Sequence, residues 1–482
     1  MNPFWILVSF IIYTALLFAV SYFTSKGANN DSFFRANKQS PWYIVAYGMI
    51  GASLSGVTFI SVPGSVGKSY FSYMVMVLGY LFGYWVIIKV LLPLYYKLNL
   101  TSIYAYLETR FGIKAYKSGA VYFLVSRVIG ASFRMFLVVS VLQYFVLDYY
   151  GIPFFITVGA FILLILLYTM KAGIKTIVWT DTLQTTFMLA SVILSMYFIA
   201  KGMDLSIGTL LQKVKTSEYS QALITDWHHP RFFIKQFISG MFITIVMTGL
   251  DQDMMQKNLS CRNLKEAQKN MTWMSISLIP INLLFLSLGA ALFIFAGYLN
   301  VEIPAKADQL FPLLAIQNMG IVSGIVFIIG LIAAAYSSAD SALTSLTTSM
   351  SVDIFNLEKR TDLNNEEKIK WRKYIHFAMS FVVFLVIILF NAINKDSVIN
   401  ELFKVAGFTY GPLLGMFAFG LFTNIKVKDK LIPLIVILSP IISYGFNYFS
   451  PILFNYHFGF EILLLNGIIT FIGLWLIKMG AK

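Results

Sequence analysis

The segment LIAAAYSSADSALTSLTTSMS at 331–351 sets hydroxyls at helical spacing: Ser337, Ser341, Thr344, Ser345 and Thr348. Ser337, Asp340 and Ser341 stand at i, i+3 and i+4, so they share one helix face, with Ser338 beside it. Hydroxyls plus one carboxylate form a hard-oxygen environment, which suits an alkali cation better than a transition metal. Hydroxyls alone would serve equally well for packing between helices. Asp340 tips the balance, because a lone carboxylate among apolar residues needs a cation, a proton or a basic partner.

Three further groups stand where polar atoms are costly. Asp181, in IKTIVWTDTLQTT, reads either as an interfacial acid near Lys175 or as a second cation ligand facing 337–341. The stretch GMIGASLSGVTFISVPGSVG at 48–67 mixes Gly48, Gly51, Gly56, Pro63 and Gly64 with Ser53, Ser55, Thr58 and Ser61. Such a helix breaks easily, and a break frees carbonyls that can hold a cation at mid-membrane. The same composition also suits a small-residue packing face. Arg134 lies deep in SRVIGASFRMFLVVS, too far in to reach the interface easily; its partner is Asp340, Asp181 or a substrate carboxylate. Arg127, two turns earlier, reads as a residue that snorkels toward the inner boundary.

These residues need a membrane to position them. Of 482 residues, 58% are hydrophobic and 12% charged, about half the charge of a soluble domain. Soluble enzyme classes are thereby excluded, and Cys261, the only cysteine, excludes a disulfide-built fold. Apolar stretches long enough to cross a ~30 Å bilayer core fall at 3–24, 42–66, 70–96, 119–147, 153–170, 175–200, 232–254, 272–299, 319–352, 374–393, 402–424, 431–449 and 458–477. The first lacks a basic leader and a cleavage site, so it reads as a span and not a signal peptide. With the N-terminus outside, the Lys and Arg residues divide 24 inside to 9 outside, with Lys89, Arg127 and Arg134 within spans. That split predicts an outside N-terminus and a cytoplasmic C-terminus in a plasma (inner) membrane. The net charge of +14 is then topological and does not imply a nucleic-acid partner. No phosphate-binding loop and no catalytic constellation is visible, so neither an ATP-driven pump nor an enzyme is expected. A channel would need a continuous polar lining, whereas the polar groups here cluster near mid-membrane.

Five stretches in order, TSIYAYLETRFG (101–112), YTMKAGIKTIVWTDTLQ (168–184), GLDQDMMQKNLSCRNLKEAQ (249–268), AAAYSSADSALTS (333–345) and AGFTYGPLLGMFAFGLF (406–422), resemble the sodium:solute symporter family. The resemblance spans essentially the whole chain and is nearest to the sialic acid transporter branch. It implies an all-α LeuT-type fold of about 13 transmembrane helices in one transporter domain, 1–482. An extra helix (3–24) would precede inverted repeats at 42–200 and 232–424, and two helices (431–477) would follow. Each repeat should begin with a broken helix; the second has weaker break signals at Gly240 and Thr248–Gly249.

Carried over by position, the resemblance implies a sodium site at the backbone of Gly51, Leu54 and Ala334 and the side chains of Ser337 and Ser338. A second sodium site would comprise Asp181, Ser337, Asp340 and Ser341. Position 340 departs from that branch, which has serine there. Ser53, Ser55, Thr58 and Arg134 match substrate-lining positions, with Arg127 the competitor for the carboxylate-binding role. The acidic and amide residues of the sugar carriers' first helix are absent, Val57 and Thr58 standing there. The expected function is symport of a small organic acid, such as sialic acid, with one or two Na+ as coupling ions. No obligate protein partner is expected. Two alternatives remain open: a neutral sugar, amino acid or vitamin with Arg134 structural, or a proton-coupled carrier using Asp340.

Overall fold

The computed structural model describes residues 3–171, 173–229, 231–393 and 398–479; Lys395 and Lys482, both counted in the charge split, lie outside them. Among the described residues, extended structure amounts to two isolated bridges, Ser40 with Cys261 and Val427 with Lys478. The remaining regular structure is helical. A helix satisfies its own backbone inside hydrocarbon, where no water can do so.

The main helices are α1 (Pro3–Thr24), α2 (Trp42–Ser69), α3 (Tyr73–Lys97), α4 (Ile113–Tyr150), α5 (Phe154–Thr169), α6 (Ile174–Gly202), α7 (Phe233–Gly249), α8 (Gln252–Leu259), α9 (Leu264–Leu299), α10 (Ile321–Ile354), α11 (Asn365–Ile393), α12 (Val398–Phe422), α13 (Ile432–Phe454) and α14 (Ile462–Leu476). Among the described residues, ten helices are long and apolar enough to cross a membrane, and α7 with α8 form one more span bent by 63°. Helices α5 and α14, at 16 and 15 residues, are about 24 and 22 Å long at 1.5 Å per residue, shorter than a bilayer core. The expected thirteen spans are reached only by counting these two.

The centre of the molecule is α10. Every residue from Gly330 to Ser349 is buried, with α6, α2 and α4 against it and α1 on its flank. By contrast α13 is mostly exposed, as a lipid-facing helix would be.

Both expected breaks exist. In α2 the break falls on Ser55 (φ 55, ψ 171), not on any of the glycines around it. In the second, α7 ends in a π-turn over Ile245–Gly249, and Leu250 and Asp251 separate it from α8. Thr248–Gly249 therefore marks the break, while Gly240 has another role. A Cβ on Gly240 would lie 2.1 Å from the Met76 carbonyl oxygen, and one on Gly79 would lie 2.2 Å from that of Phe237. The two glycines let α3 and α7 touch backbone to backbone.

Gly240→Ala is expected to lower the thermal midpoint by the equivalent of about 1–3 kcal/mol, since overpacking against a backbone has no cheap relief. Gly297→Ala in α9, where a Cβ meets nothing within 4 Å, should leave the midpoint unchanged or raise it slightly. Thermal unfolding of the purified protein measures both.

Candidate functional site

Beside the α2 break lies a cavity of about 90 Å³. Its wall includes Ser53, Leu54, Ser55 and Thr58 of α2, Tyr73, Tyr80 and Tyr84 of α3, Arg127 and Arg134 of α4, Thr248 of α7, and Asn282 of α9. A serine at positive φ costs on the order of 1–3 kcal/mol, a strain that persists only where the surroundings hold it. Here the surroundings are tight. Gly51 N–H donates to Thr185 Oγ1 at 3.2 Å, and a Cβ on Gly51 would lie 2.2 Å from that oxygen. Tyr84 of α3 lines the cavity together with Ser53 of α2 and Thr248 of α7, between the two broken helices.

The two arginines of α4 separate in role. Arg127 is buried and ion-paired: its Nη2 bonds to Asp253, and Nη1 lies 3.9 Å from Asp251 Oδ2. The expected snorkelling is therefore wrong; two acids beyond the second break hold this guanidinium in the interior. Arg134 faces the cavity. No carboxylate among the described residues lies within ion-pair distance of it, and its Nε is buried without a hydrogen-bond partner. Neither Asp181 nor Asp340, the two intramolecular partners expected for it, pairs with Arg134.

Below the cavity, α8 is pinned on all sides, and each of its eight residues is buried. Tyr95 and Tyr104 donate to the freed carbonyls of Gly249 (2.8 Å) and Leu250 (2.9 Å). Asp251 caps α8, accepting from the N–H groups of Asp253 and Met254, and accepts from the Tyr410 hydroxyl at 2.5 Å. Gln252 bonds the 101–103 segment, and Gln256 reaches Phe34 O and Thr348 Oγ1. At the α2 break the contrast is plain: among the described residues no side chain donates to the carbonyls of Gly51, Ala52, Ser53 or Leu54.

The hydroxyl face of α10 meets both α2 and α6. Gly56 makes room for α4, its would-be Cβ lying 2.6 Å from Val138 Cγ2, and stands within ordinary contact distance of Ala335 in α10. Ser338 Oγ lies 3.3 Å from Ala334 O. Ser337 donates to Asp181 Oδ1 at 2.7 Å, while the Lys257 ammonium of α8 sits 2.6 Å from Oδ2. Asp340 accepts from Tyr168 (2.7 Å), Gln184 (3.3 Å) and Ser341. All four residues expected at a second ion site thus stand in one buried cluster, Asp181 bonded to Ser337 and Asp340 to Ser341. Lys257, which lies past the 232–254 stretch and is one of the 24 charges counted as inside, is 1% exposed and joins the cluster. The pairing ties α8 to α6 and α10. Residue spacing gave no sign of the roles of Lys257, Asp253, Tyr168 or Gln184. The charges in GLDQDMMQKNL were the one available signal.

Arg127→Met should cost about 3–5 kcal/mol by stranding Asp253 in the interior. Arg134→Met strands nothing and should leave the thermal midpoint near that of the parent. Similar losses for both would show that Arg134 also has a structural role.

The sodium:solute symporter family model matches residues 33–427. The sodium/sialic acid symporter SiaT of Proteus mirabilis is 24% identical, over 85% of this chain and 83% of that protein. The sodium/glucose cotransporter of Vibrio parahaemolyticus is 26% identical, over 72% and 68%. A solved Na+-coupled sialic acid symporter, in a substrate-bound outward-open state, has a TM-score of 0.83 at 21% identity and covers 98% of this chain and 97% of its own. That match establishes the LeuT-like arrangement of helices. The chain belongs to the sodium:solute symporter family and is a multi-pass, sodium-coupled membrane symporter.

Proposed function

We propose that the chain imports a small organic anion together with sodium, and that Arg134 receives the substrate's carboxylate. The observation that carries this is the Arg134 guanidinium on the wall of the central cavity, with no carboxylate among the described residues in ion-pair distance, while its neighbour Arg127 is ion-paired to Asp253. A guanidinium offers a planar fork that a carboxylate fills bidentately. Ser53, Ser55 and Thr58, with Tyr84 and Asn282, would supply hydroxyl and amide groups for the rest of a polar solute. SiaT and the solved neighbour are sialic acid symporters, and a sialic acid combines a carboxylate with many hydroxyls, as this wall requires. A neutral solute would leave Arg134 without a partner.

Sodium is assigned to the carbonyls of Gly51, Leu54 and Ala334 and the hydroxyls of Ser337 and Ser338. The carbonyls before Ser55, to which no side chain among the described residues donates, support this assignment, since five hard oxygens suit an alkali ion. Sodium there would draw α2 against α10 and firm the wall carrying Ser53 and Ser55. Each ligand then raises the other's affinity by the same factor. Release requires α8 to move, and its pins, the Arg127–Asp253 and Lys257–Asp181 pairs, would form the inner closure. The repeats 42–200 and 232–424, each led by an interrupted helix, would rock against one another. The excess of basic residues on one side supports an outside N-terminus in the plasma membrane.

The number of sodium ions sets the yield. One sodium with one monoanion is electroneutral, leaving about 1.4 kcal/mol, or tenfold accumulation, from a tenfold gradient. Two sodium ions carry a net charge inward and add about 2.3 kcal/mol per 100 mV, about 5 kcal/mol in total and several thousandfold.

Uptake of labelled sialic acid into proteoliposomes tests the proposal. Arg134→Ala should abolish uptake, and Ser338→Ala should raise the half-saturating sodium concentration about tenfold, the loss of one hydroxyl ligand. Undiminished uptake in Arg134→Ala, or competition by neutral sugars alone, would contradict the carboxylate assignment.

A further inference from the structure

Asn282 of α9 carries the carboxamide in the cavity wall, and it is 1% exposed. Its Nδ2 donates to the Leu278 carbonyl, one turn back, at 2.7 Å. That bond fixes the amide's orientation, since a half-turn would set Oδ1 against the Leu278 oxygen, acceptor against acceptor. Oδ1 is therefore held away from that carbonyl, and it is buried with no hydrogen-bond partner among the described residues. Leu278 lines the cavity as well, so this turn of α9 presents the amide to it.

The other polar side chains of the wall act differently. The guanidiniums of Arg127 and Arg134 only donate, and the hydroxyls of α2, α3 and α7 donate or accept as a partner requires. Asn282 Oδ1 only accepts. A solute that fills the cavity takes the place of any water serving that oxygen, and must then bring a donor of its own. A solute without one leaves a buried acceptor unpaired, and sites built this way reject such analogues strongly. The charge on the donor matters too. The wall includes two guanidiniums and no carboxyl side chain, so an ammonium on the solute would be buried with no anion from the protein to face it.

We infer that Asn282 decides which anions the cavity admits: its Oδ1 accepts a hydrogen bond from a hydroxyl or amide N–H of the substrate while Arg134 holds the carboxylate. The substrate class is then hydroxylated or amide-bearing carboxylates, with plain carboxylates and amino acids rejected. The inference rests on the carboxylate reading of Arg134 and goes beyond it, since Arg134 alone would take any carboxylate. Arg134 stands on α4 and Asn282 on α9, and both helices pack against α2. Contacts on two separate helices fix the orientation of the solute as well as its identity.

The test follows the thermal midpoint of the full chain in sodium buffer with matched probes. Sialic acid and glucuronate carry hydroxyls, cyclohexanecarboxylate and hexanoate do not, and alanine and proline are zwitterions. The half-stabilising concentration of the hydroxylated acids should be lower than that of the plain acids by about tenfold or more, the loss expected for an unpaired buried acceptor. Asn282→Leu should remove the difference, weakening the hydroxylated acids about tenfold and leaving cyclohexanecarboxylate unchanged or tighter. A residue that only supports the fold would shift both series together. Equal affinity of the parent for both series, equal weakening of both by Asn282→Leu, or tighter binding of alanine or proline than of the sugar acids would overturn the inference. So would the absence of stabilisation by either hydroxylated acid. Should Asn282→Leu fail to fold, the parent's ranking and Asn282→Ala decide the matter. Glucose separates the two readings: if it matches glucuronate in the parent and Asn282→Leu weakens both, the amide contact stands and the carboxylate assignment to Arg134 falls.

Discussion

Hydrocarbon contains no water, so any backbone group released inside it must find a partner in the protein. This chain interrupts two helices at that depth, at Ser55 and at Gly249–Asp251, and treats them differently. Tyrosines from α3 and from the 101–104 segment cover the second break, and Asp251 caps the helix that follows. The carbonyls before Ser55 receive no such cover. One break is stitched shut by side chains, and the other leaves its carbonyls without side-chain donors among the described residues. The cavity lies between them, with Tyr84 on its wall.

The charges follow the same logic. Arg127 with Asp253 and Lys257 with Asp181 are ion pairs that join α8 to the rest of the interior. What remains is one guanidinium without an anion, Arg134, and one carboxylate without a cation, Asp340. The protein alone leaves a guanidinium without an anion on the cavity wall and a buried carboxyl without a basic partner behind α10. On the proposed reading, an organic anion and a metal cation would complement them. A symporter needs such a division, since its two cargoes must each complete something the empty fold leaves incomplete.

Much of this was legible in the sequence because membrane spans are long, apolar and continuous. The α2 break, the face of 337–341 and the depth of Arg134 could each be read from residue types. Hydropathy could not reveal α8. Its charges resemble those of a loop until their partners are known, and those partners are 76 and 126 residues away. For the same reason Arg127 was read as snorkelling and Lys257 was counted with the inside charges. Tyr168 and Gln184 gave no signal, because a phenol or an amide in a helix is informative only once the carboxylate it contacts is known. The break at Ser55 rather than a glycine also escaped composition, since the backbone beside it is held by packing against α6, Gly51 on Thr185.

The most direct measurement is the thermal midpoint of the purified protein with carboxylate and neutral solutes, each in sodium and in potassium buffer. A bound carboxylate at 100 times its dissociation constant should add about 2.7 kcal/mol of stability, and should do so only in sodium. Equal stabilisation in potassium, or stabilisation by neutral solutes alone, would contradict the coupling of an anion at Arg134 to a cation at the α2 break.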